Sequence, residues 1–324
     1  MNNERIDLAA AAQMIREADR ILFFLHVSPD GDSIGSTLAM VHALRKAGKT
    51  AIGVGVDPVP RIYSFLPGWD TLFVPWQEVE GEWDLACFLD CGDLERVGAG
   101  MPVVRKAKRT LNVDHHITNA VYGEYNYLDF SAAAVGELAF LLLRELGLAI
   151  DPTIATCIYT SIVADTGGFK YDSTAPRTHR IAAELLEAGA KPYEVASAIF
   201  ENESMARLAL LSQVLATLHV DPSGKIASVH VTREMLEQTG AAEEDVEGMV
   251  NYARSVMGVE VGMLFRETSE GSIRVGLRSR RHVDVGAVAK QFGGGGHARA
   301  SGCGLHTSME EAKVRVLNAV RAAF

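Results

Sequence analysis

Three stretches of this chain stay apolar for several residues and then stop on an acid or an imidazole. ILFFLHV (21–27) runs into the turn cluster SPDGDS, DLACFLD (84–90) ends on Asp90, and RTLNVDHH (109–116) ends on Asp114, His115 and His116. Short uninterrupted apolar runs of this kind predict strands buried on both faces. AIGVGV (51–56) reads as a further strand. Helical spacing lies between and after them: at 33–47, where Leu38, Val41 and Leu44 precede Gly48, at 131–147, and at 152–164, which runs out at ADTGG. Strands alternating with helices predict an open parallel sheet. Such sheets bind ligands beyond the carboxyl ends of their strands, and the polar candidates here all lie at strand or helix ends.

A chain of 324 residues suggests about two domains. Beyond a hinge and linker helix at 189–218, strand-like runs recur at 226–231, 259–267 and 272–279. A helical segment at 284–292, the glycine cluster GGGGHARASGCG (293–304) and a last helix at about 308–322 follow. The expected fold class is therefore α/β: a parallel-sheet domain at 1–188 with helices on both faces, and a smaller α/β domain at 219–324. The first twenty residues, MNNERIDLAAAAQMIREADR, read as an amphipathic helix rather than a signal peptide. No apolar run reaches the roughly 18 residues of a membrane span. Cys87, Cys91, Cys157 and Cys303 have neither a disulfide framework nor zinc-finger spacing. They suit small buried side chains in a reducing cytoplasm.

With 31 basic against 41 acidic residues, the net charge of −10 excludes a general basic coat for nucleic acid. The charge is uneven, however. Between 274 and 299, Arg274, Arg278, Arg280, Arg281, Lys290 and Arg299 face a single acid, Asp284. A basic segment on an acidic chain suits a metal site paired with an anionic substrate; a solvated charge run is the plainer reading.

Four segments place the acids and imidazoles: HVSPDGD (26–32), FLDCGD (88–93), NVDHH (112–116) and VADTGG (163–168). Oxygen ligands suit hard divalent cations, and imidazole suits manganese, iron, cobalt and zinc. Asp30, Asp32, Asp90 and Asp165 would neutralise two divalent ions, and a carboxylate on the middle strand could bridge them. Paired ions about 3.5–4 Å apart stabilise both attacking and leaving oxygens at phosphorus. Singly, each residue has an ordinary explanation. Asp30 and Asp32 could be turn formers, Asp165 a helix-end residue, His26 structural, and Asp93 a loop carboxylate. The convergence on one sheet edge argues otherwise. His42, His179, His219, His230 and His306 receive no role.

Taken in order, HVSPDGDSIGS (26–36), the strand-end Asp90, Asp114-His115-His116 and ADTG (164–167) resemble the DHH phosphoesterase superfamily. GGGGHARASG (293–302) is similar to the signature of that family's associated C-terminal domain. The length resembles the nanoRNase and pAp-phosphatase branch. The resemblance implies an active site in the cleft between two domains, with two Mn²⁺ ions. One would be held by His26, Asp30 and Asp90, the other by Asp32, Asp90, His115 and Asp165. Asp114 would orient the site and His116 would contact the substrate phosphate. The implied activity is hydroxide attack on short oligoribonucleotides, dinucleotides such as pApA included, and dephosphorylation of pAp to AMP. A homodimer is also implied.

Gly293 to Gly296 run against helix propensity and could bring backbone N–H groups close to an anion. His297, Arg299 and the Ser301 hydroxyl follow. Arg278 and Arg280 are expected to share one strand face. The resemblance assigns Arg278, Arg280, Gly294, Gly295, Gly296, His297, Arg299 and Ser301 to the end of a short nucleotide. No Lys-Ser/Thr follows the glycines, so this is not a P-loop. Aromatic residues, 7% of the chain, do not cluster here, which disfavours a long stacking channel. The competing readings are a RecJ-like single-strand exonuclease, an inorganic pyrophosphatase and a non-catalytic nucleotide-binding regulator.

Overall fold

The computed structural model describes residues 3–324. They form two compact units, one ending at Asn202 and the other spanning Glu203–Phe324. The first contains β1 (Glu4–Arg5), α1 (Leu8–Glu17), β2 (Arg20–Phe24), α2 (Gly31–Lys46), β3 (Thr50–Gly55), β4 (Phe73–Pro75) and β5 (Trp83–Leu89). It continues through α3 (Met101–Val104), β6 (Ala107–Asp114), β7 (Tyr125–Leu128), α4 (Val135–Glu145), α5 (Pro152–Asp165), α6 (Pro176–Glu187) and α7 (Pro192–Phe200).

Among the described residues its seven strands form one sheet in the order β1-β7-β6-β5-β2-β3-β4. Every pairing is parallel. The uninterrupted apolar sequence of β2 is explained by its two covered faces. Ile21, Phe23 and Leu25 point into a core shared with α1, α2, α4 and α5, whereas Leu22 and Phe24 pack with Val54, Trp83 and Phe88 on the other side. Short 3₁₀ turns and α3 cover that second face. Full burial of one such side chain contributes about 1.5–3 kcal/mol. β2 extends toward β3 and β4 on one side, and the chain then crosses to β5, β6 and β7 on the other. The order therefore reverses between β2 and β5, where a doubly wound sheet opens its crevice.

Several elements fall outside the sequence reading. The helix expected across the first twenty residues is α1, preceded by the short edge strand β1; residues 1–2 lie outside the described residues. The helix expected at 131–147 begins only at Val135. The segment read as a hinge contains α7, whose Val195 is buried in the core of the first unit.

The second unit contains α8 (Met205–Ala216), β8 (His219–Val220), β9 (Ile226–Val231), α9 (Arg233–Thr239), α10 (Val250–Ser255), β10 (Val261–Glu267) and β11 (Ile273–Ser279). It ends with α11 (Val285–Lys290), β12 (Gly295–His297), β13 (Ala300–Leu305) and α12 (Met309–Arg321). Its sheet is mixed, ordered β12-β13-β11-β10-β9-β8, with β9 and β10 parallel and the other neighbours antiparallel. Val261, Met263 and Phe265 face α11 and α12, while Val229 and Leu264 face α8 and α10.

Candidate metal centre

The carboxyl ends of β2, β5 and β6 adjoin one another at the switch point, and each delivers a polar residue. His26 lies just past β2, Asp90 follows Leu89 at the end of β5, and Asp114 closes β6 before His115 and His116. α2 contributes Asp32 in its first turn, and Asp165 ends α5. Asp90 has φ +61°, a left-handed conformation that Asp tolerates better than most side chains. That twist turns its carboxylate out of the strand direction and into the cluster.

Three groups of ligand atoms converge: His26 with Asp30 and Asp90, Asp32 with His115 and Asp165, and Asp90 with Asp114, His115 and His116, which joins the first two. In the first, His26 Nε2 lies 3.7 Å from Asp30 Oδ1 and 3.3 Å from Asp90 Oδ2. In the second, His115 Nε2 lies 3.8 Å from Asp32 Oδ2 and 3.6 Å from Asp165 Oδ2. The other Asp90 oxygen, Oδ1, lies 3.6 Å from His115 Nε2 and 3.5 Å from His116 Nδ1. One carboxylate thus faces both groups. All six expected metal ligands are brought together, with Asp114 and His116 beside Asp90. Asp93 stays outside these groups and accepts from Arg96 N at 3.0 Å, as a loop carboxylate does.

The fit to metal can be tested atom by atom. His26 Nε2 and Asp90 Oδ1 are buried and have no hydrogen-bond partner among the described residues. Such orphans cost about 1–3 kcal/mol each unless something fills the space. The cross-group separations exceed a hydrogen bond, yet ligands about 2.1 Å from one cation stand about 3–3.5 Å apart. The imidazoles are also set for coordination. His115 Nδ1 donates to Ala132 O at 3.0 Å, which turns its Nε2 lone pair toward the acids, and His26 Nδ1 lies 2.8 Å from Val27 O with Nε2 facing Asp30 and Asp90. These donor sets fit divalent cations.

The charge balance favours cations in the cluster. Burial, together with Asp90 and Asp165, pushes the Asp32 carboxyl well above the usual range. Burial and the Asp90 and Asp30 charges raise Asp165 to about 6 against the opposing pull of His115. Burial also works against Asp90, but the neighbouring His115, His26 and His116 imidazoles hold it below the ordinary carboxylate value. Desolvation disfavours charge on His26 and His115, yet the surrounding carboxylates carry them to about 10 and about 11.

Asp30 and Asp32 also perform the local roles that turn chemistry suggests. Asp30 caps α2, accepting from Asp32 N and Ser33 N, each at 3.1 Å. Asp32 accepts from Val135 N (2.7 Å), Gly136 N (3.1 Å) and Ser161 Oγ (2.5 Å). A Cβ on Gly136 would meet Ser161 Oγ at 2.0 Å, so only glycine allows this approach. His116 Nδ1 donates to Asp114 Oδ1 at 2.8 Å, and Asn119 Nδ2 donates to Asp114 Oδ2 at 2.5 Å. His116 is the most exposed of the three imidazoles, with 31% of its side chain accessible. Sequence reasoning missed Asn119, Ser161 and Arg96, whose Nη2 lies 2.9 Å from His26 Nδ1. Asn119, close behind Asp114-His115-His116, offered a signal; the other two join the site only by folding.

In the second unit the glycine cluster is a hairpin, β12 paired with β13. Its glycines serve the fold first. Gly293 N and Gly294 N donate to Lys290 O and Ala289 O, closing α11, so these two amides are not an anion cradle. A Cβ on Gly294 would meet Gly302 O at 2.2 Å. Gly295, Gly296, His297 and Arg299 are exposed. Arg299 Nη1 reaches Val283 O at 3.0 Å. Two further expectations change here. Arg280 lies past the end of β11 and donates to Arg254 O and Val256 O, so it does not share a strand face with Arg278. Ser301 is buried and its hydroxyl donates to Val285 O at 2.6 Å, pinning the hairpin to α11 instead of offering its hydrogen outward.

The family model "DHH family, N-terminal domain" matches residues 20–162, and "DHHA1 domain" matches 224–324. Over 91% of this chain and 87% of the relative, the sequence is 37% identical to a bifunctional oligoribonuclease and PAP phosphatase NrnA of Thermus thermophilus. It is 28% identical to the protein of that name from Bacillus subtilis, over 89% of this chain and 90% of the relative. A solved exopolyphosphatase-related protein from Bacteroides fragilis superposes with a TM-score of 0.91 at 29% identity, covering 97% of this chain and 95% of its own. With both domain models in order and this similarity along nearly its whole length, the chain belongs to the DHH family of phosphoesterases.

Proposed function

We propose that this enzyme hydrolyses short oligoribonucleotides, dinucleotides such as pApA included, to mononucleotides and removes the 3′-phosphate of pAp, with two Mn²⁺ ions as cofactors. The observation that carries the reading is the Asp90 carboxylate, one oxygen toward the His26–Asp30 group and the other toward His115. His26, Asp30 and Asp90 would hold one ion, and Asp32, Asp90, His115 and Asp165 the other. Bound there, the ions supply a nucleophile at neutral pH and neutralise charge at phosphorus. The protein's own groups supply the rest. Asp114 fixes the His116 ring, so that the accessible imidazole meets the phosphate near its leaving group. On the 219–324 side, Arg278, Arg280, Gly294, Gly295, Gly296, His297, Arg299 and Ser301 are assigned to nucleotide binding. The arginines supply cationic charge, and Arg280, Gly294 and Ser301 maintain the shape of the surface.

The names of the relatives support this choice of substrates. No helix among the described residues is long and apolar enough to cross a membrane, and the four cysteines are free and buried, which suits the cytoplasm. The deciding experiment is product analysis on end-labelled RNAs of graded length, pAp and pyrophosphate with added Mn²⁺. Mononucleotides from the shortest RNAs and AMP from pAp are expected. Turnover of pyrophosphate alone would overturn the proposal.

A further inference from the structure

The segment 129–137, between β7 and the first turn of α4, touches both of the ligands His115 and Asp32. Its Ala132 carbonyl accepts from His115 Nδ1, and its Val135 and Gly136 amides donate to the two Asp32 oxygens. The N-cap position of α4 is Ala134, which has no capping side chain, so Asp32 supplies the cap from α2. Segment and ligands therefore orient one another.

Arg177, in the first turn of α6, holds both ends of this segment. Its Nη1 donates to Asp129 Oδ2 and its Nε to Glu137 Oε2, each at 2.7 Å. Thr178 Oγ1 adds a bond to Glu137 Oε1 at 2.6 Å. The Glu137 side chain is fully buried. Replacing a buried ion pair by well-packed apolar groups is often neutral or stabilising, so stability alone is a weak reason for this one. Geometry is a better reason, because a planar guanidinium fixes two carboxylates at once.

We propose that Arg177 is a positioning residue: by tying Asp129 to Glu137 it holds segment 129–137 so that the Ala132 carbonyl and the Val135 and Gly136 amides aim His115 and Asp32 at a shared cation. The inference rests on the two-metal reading above. It goes further in assigning Arg177 to the His115–Asp32–Asp165 site and not to the His26–Asp30 site, because the hydrogen bonds of the segment go to His115 and Asp32.

The test is calorimetric titration of Mn²⁺ into the metal-stripped full-length protein, with thermal melting of the same samples. Wild type is expected to bind two ions. Arg177→Met should lose about 10–100-fold in affinity at one site, the range for partners that orient a metal ligand, and keep the other. Arg177→Lys, which supplies a point charge without the fork, should be intermediate. The control is Arg144→Met, which breaks the exposed Arg144–Glu184 bond between α4 and α6 and should leave both affinities unchanged. If Arg177→Met is insoluble, Asp129→Asn decides alone, with a smaller loss at the same single site. Wild-type affinities at both sites, or both weakened together in step with the melting temperature, would overturn the proposal. Wild-type binding of fewer than two ions would instead refute the two-metal reading.

Discussion

The metal centre and the glycine-rich hairpin hold their functional candidates in opposite ways. Around Asp90 the groups are mostly buried, mutually charged and include orphan atoms that a bound cation would satisfy. Around Gly295–Arg299 they are exposed, and the amides of Gly293 and Gly294 already serve the fold. A buried, coupled cluster fails as a unit when one member is lost, whereas an exposed set of contacts loses affinity in steps.

The comparison breaks most decisively at Asp90. Asn keeps the side-chain shape and tolerates the left-handed backbone there, so Asp90→Asn should melt close to wild type. Turnover of pAp and dinucleotides should fall at least about 10³-fold, or about 4 kcal/mol of barrier. Residual turnover near wild type, read in a steady-state assay, would show that the carboxylate serves no shared ion.

The hairpin should show a contrast between adjacent glycines. Gly294→Ala drives a Cβ into Gly302 O, whereas Gly295 has nothing within 4 Å. The first substitution should cost about 1–3 kcal/mol of stability and the second much less. Equal urea midpoints for the two variants would contradict the tight approach seen at Gly294.

A smaller effect is expected at Arg299. Because it offers an exposed cation on the second unit and is not among the candidate metal ligands, Arg299→Ala should raise KM about tenfold and leave kcat near wild type. A collapsed kcat at unchanged KM would place Arg299 in the chemistry and erase the distinction between the two regions.

The smallest effect concerns how the basic turn is held. Glu260 Oε1 accepts from the amides of Arg281 (2.8 Å), His282 (2.5 Å) and Val283 (3.2 Å). Burial pushes its carboxyl up, but these bonds, that of His282 foremost, keep it below the usual glutamate value. A lowered folded-state value means stability present above the ordinary glutamate range and lost as pH falls through the lowered one. Glu260→Gln should therefore cost about 1 kcal/mol at neutral pH, with the gap from wild type closing in acid. A gap independent of pH in thermal melts would show that the charge contributes nothing.

The cluster of acids and imidazoles was legible because its residues sit where the chain itself changes character. Asp90 and Asp114 end apolar runs, and Pro29-Asp30-Gly31-Asp32 marks a turn into a helix. Arg177 was not legible, since a lone arginine in PRTHR has no spacing that ties it to Asp129 or Glu137. At the hairpin the signal was ambiguous for a similar reason: consecutive glycines permit close backbone approach, but do not say whether a ligand or Gly302 makes it. α7 was hidden in a segment that read as a hinge because only Val195 of the helix is buried, too little for a helical stripe.

Local sequence determined the strands, their alternation with helices and the acids and imidazoles at their ends, because apolar periodicity and turn chemistry act over a few residues. Only the tertiary structure decided that Asp90 faces two ligand groups, that Asp32 caps α4 and that Arg177 spans a segment ahead of it in the chain. Those contacts join residues far apart in sequence, and strand order in the sheet, which no local pattern encodes, brings them within reach.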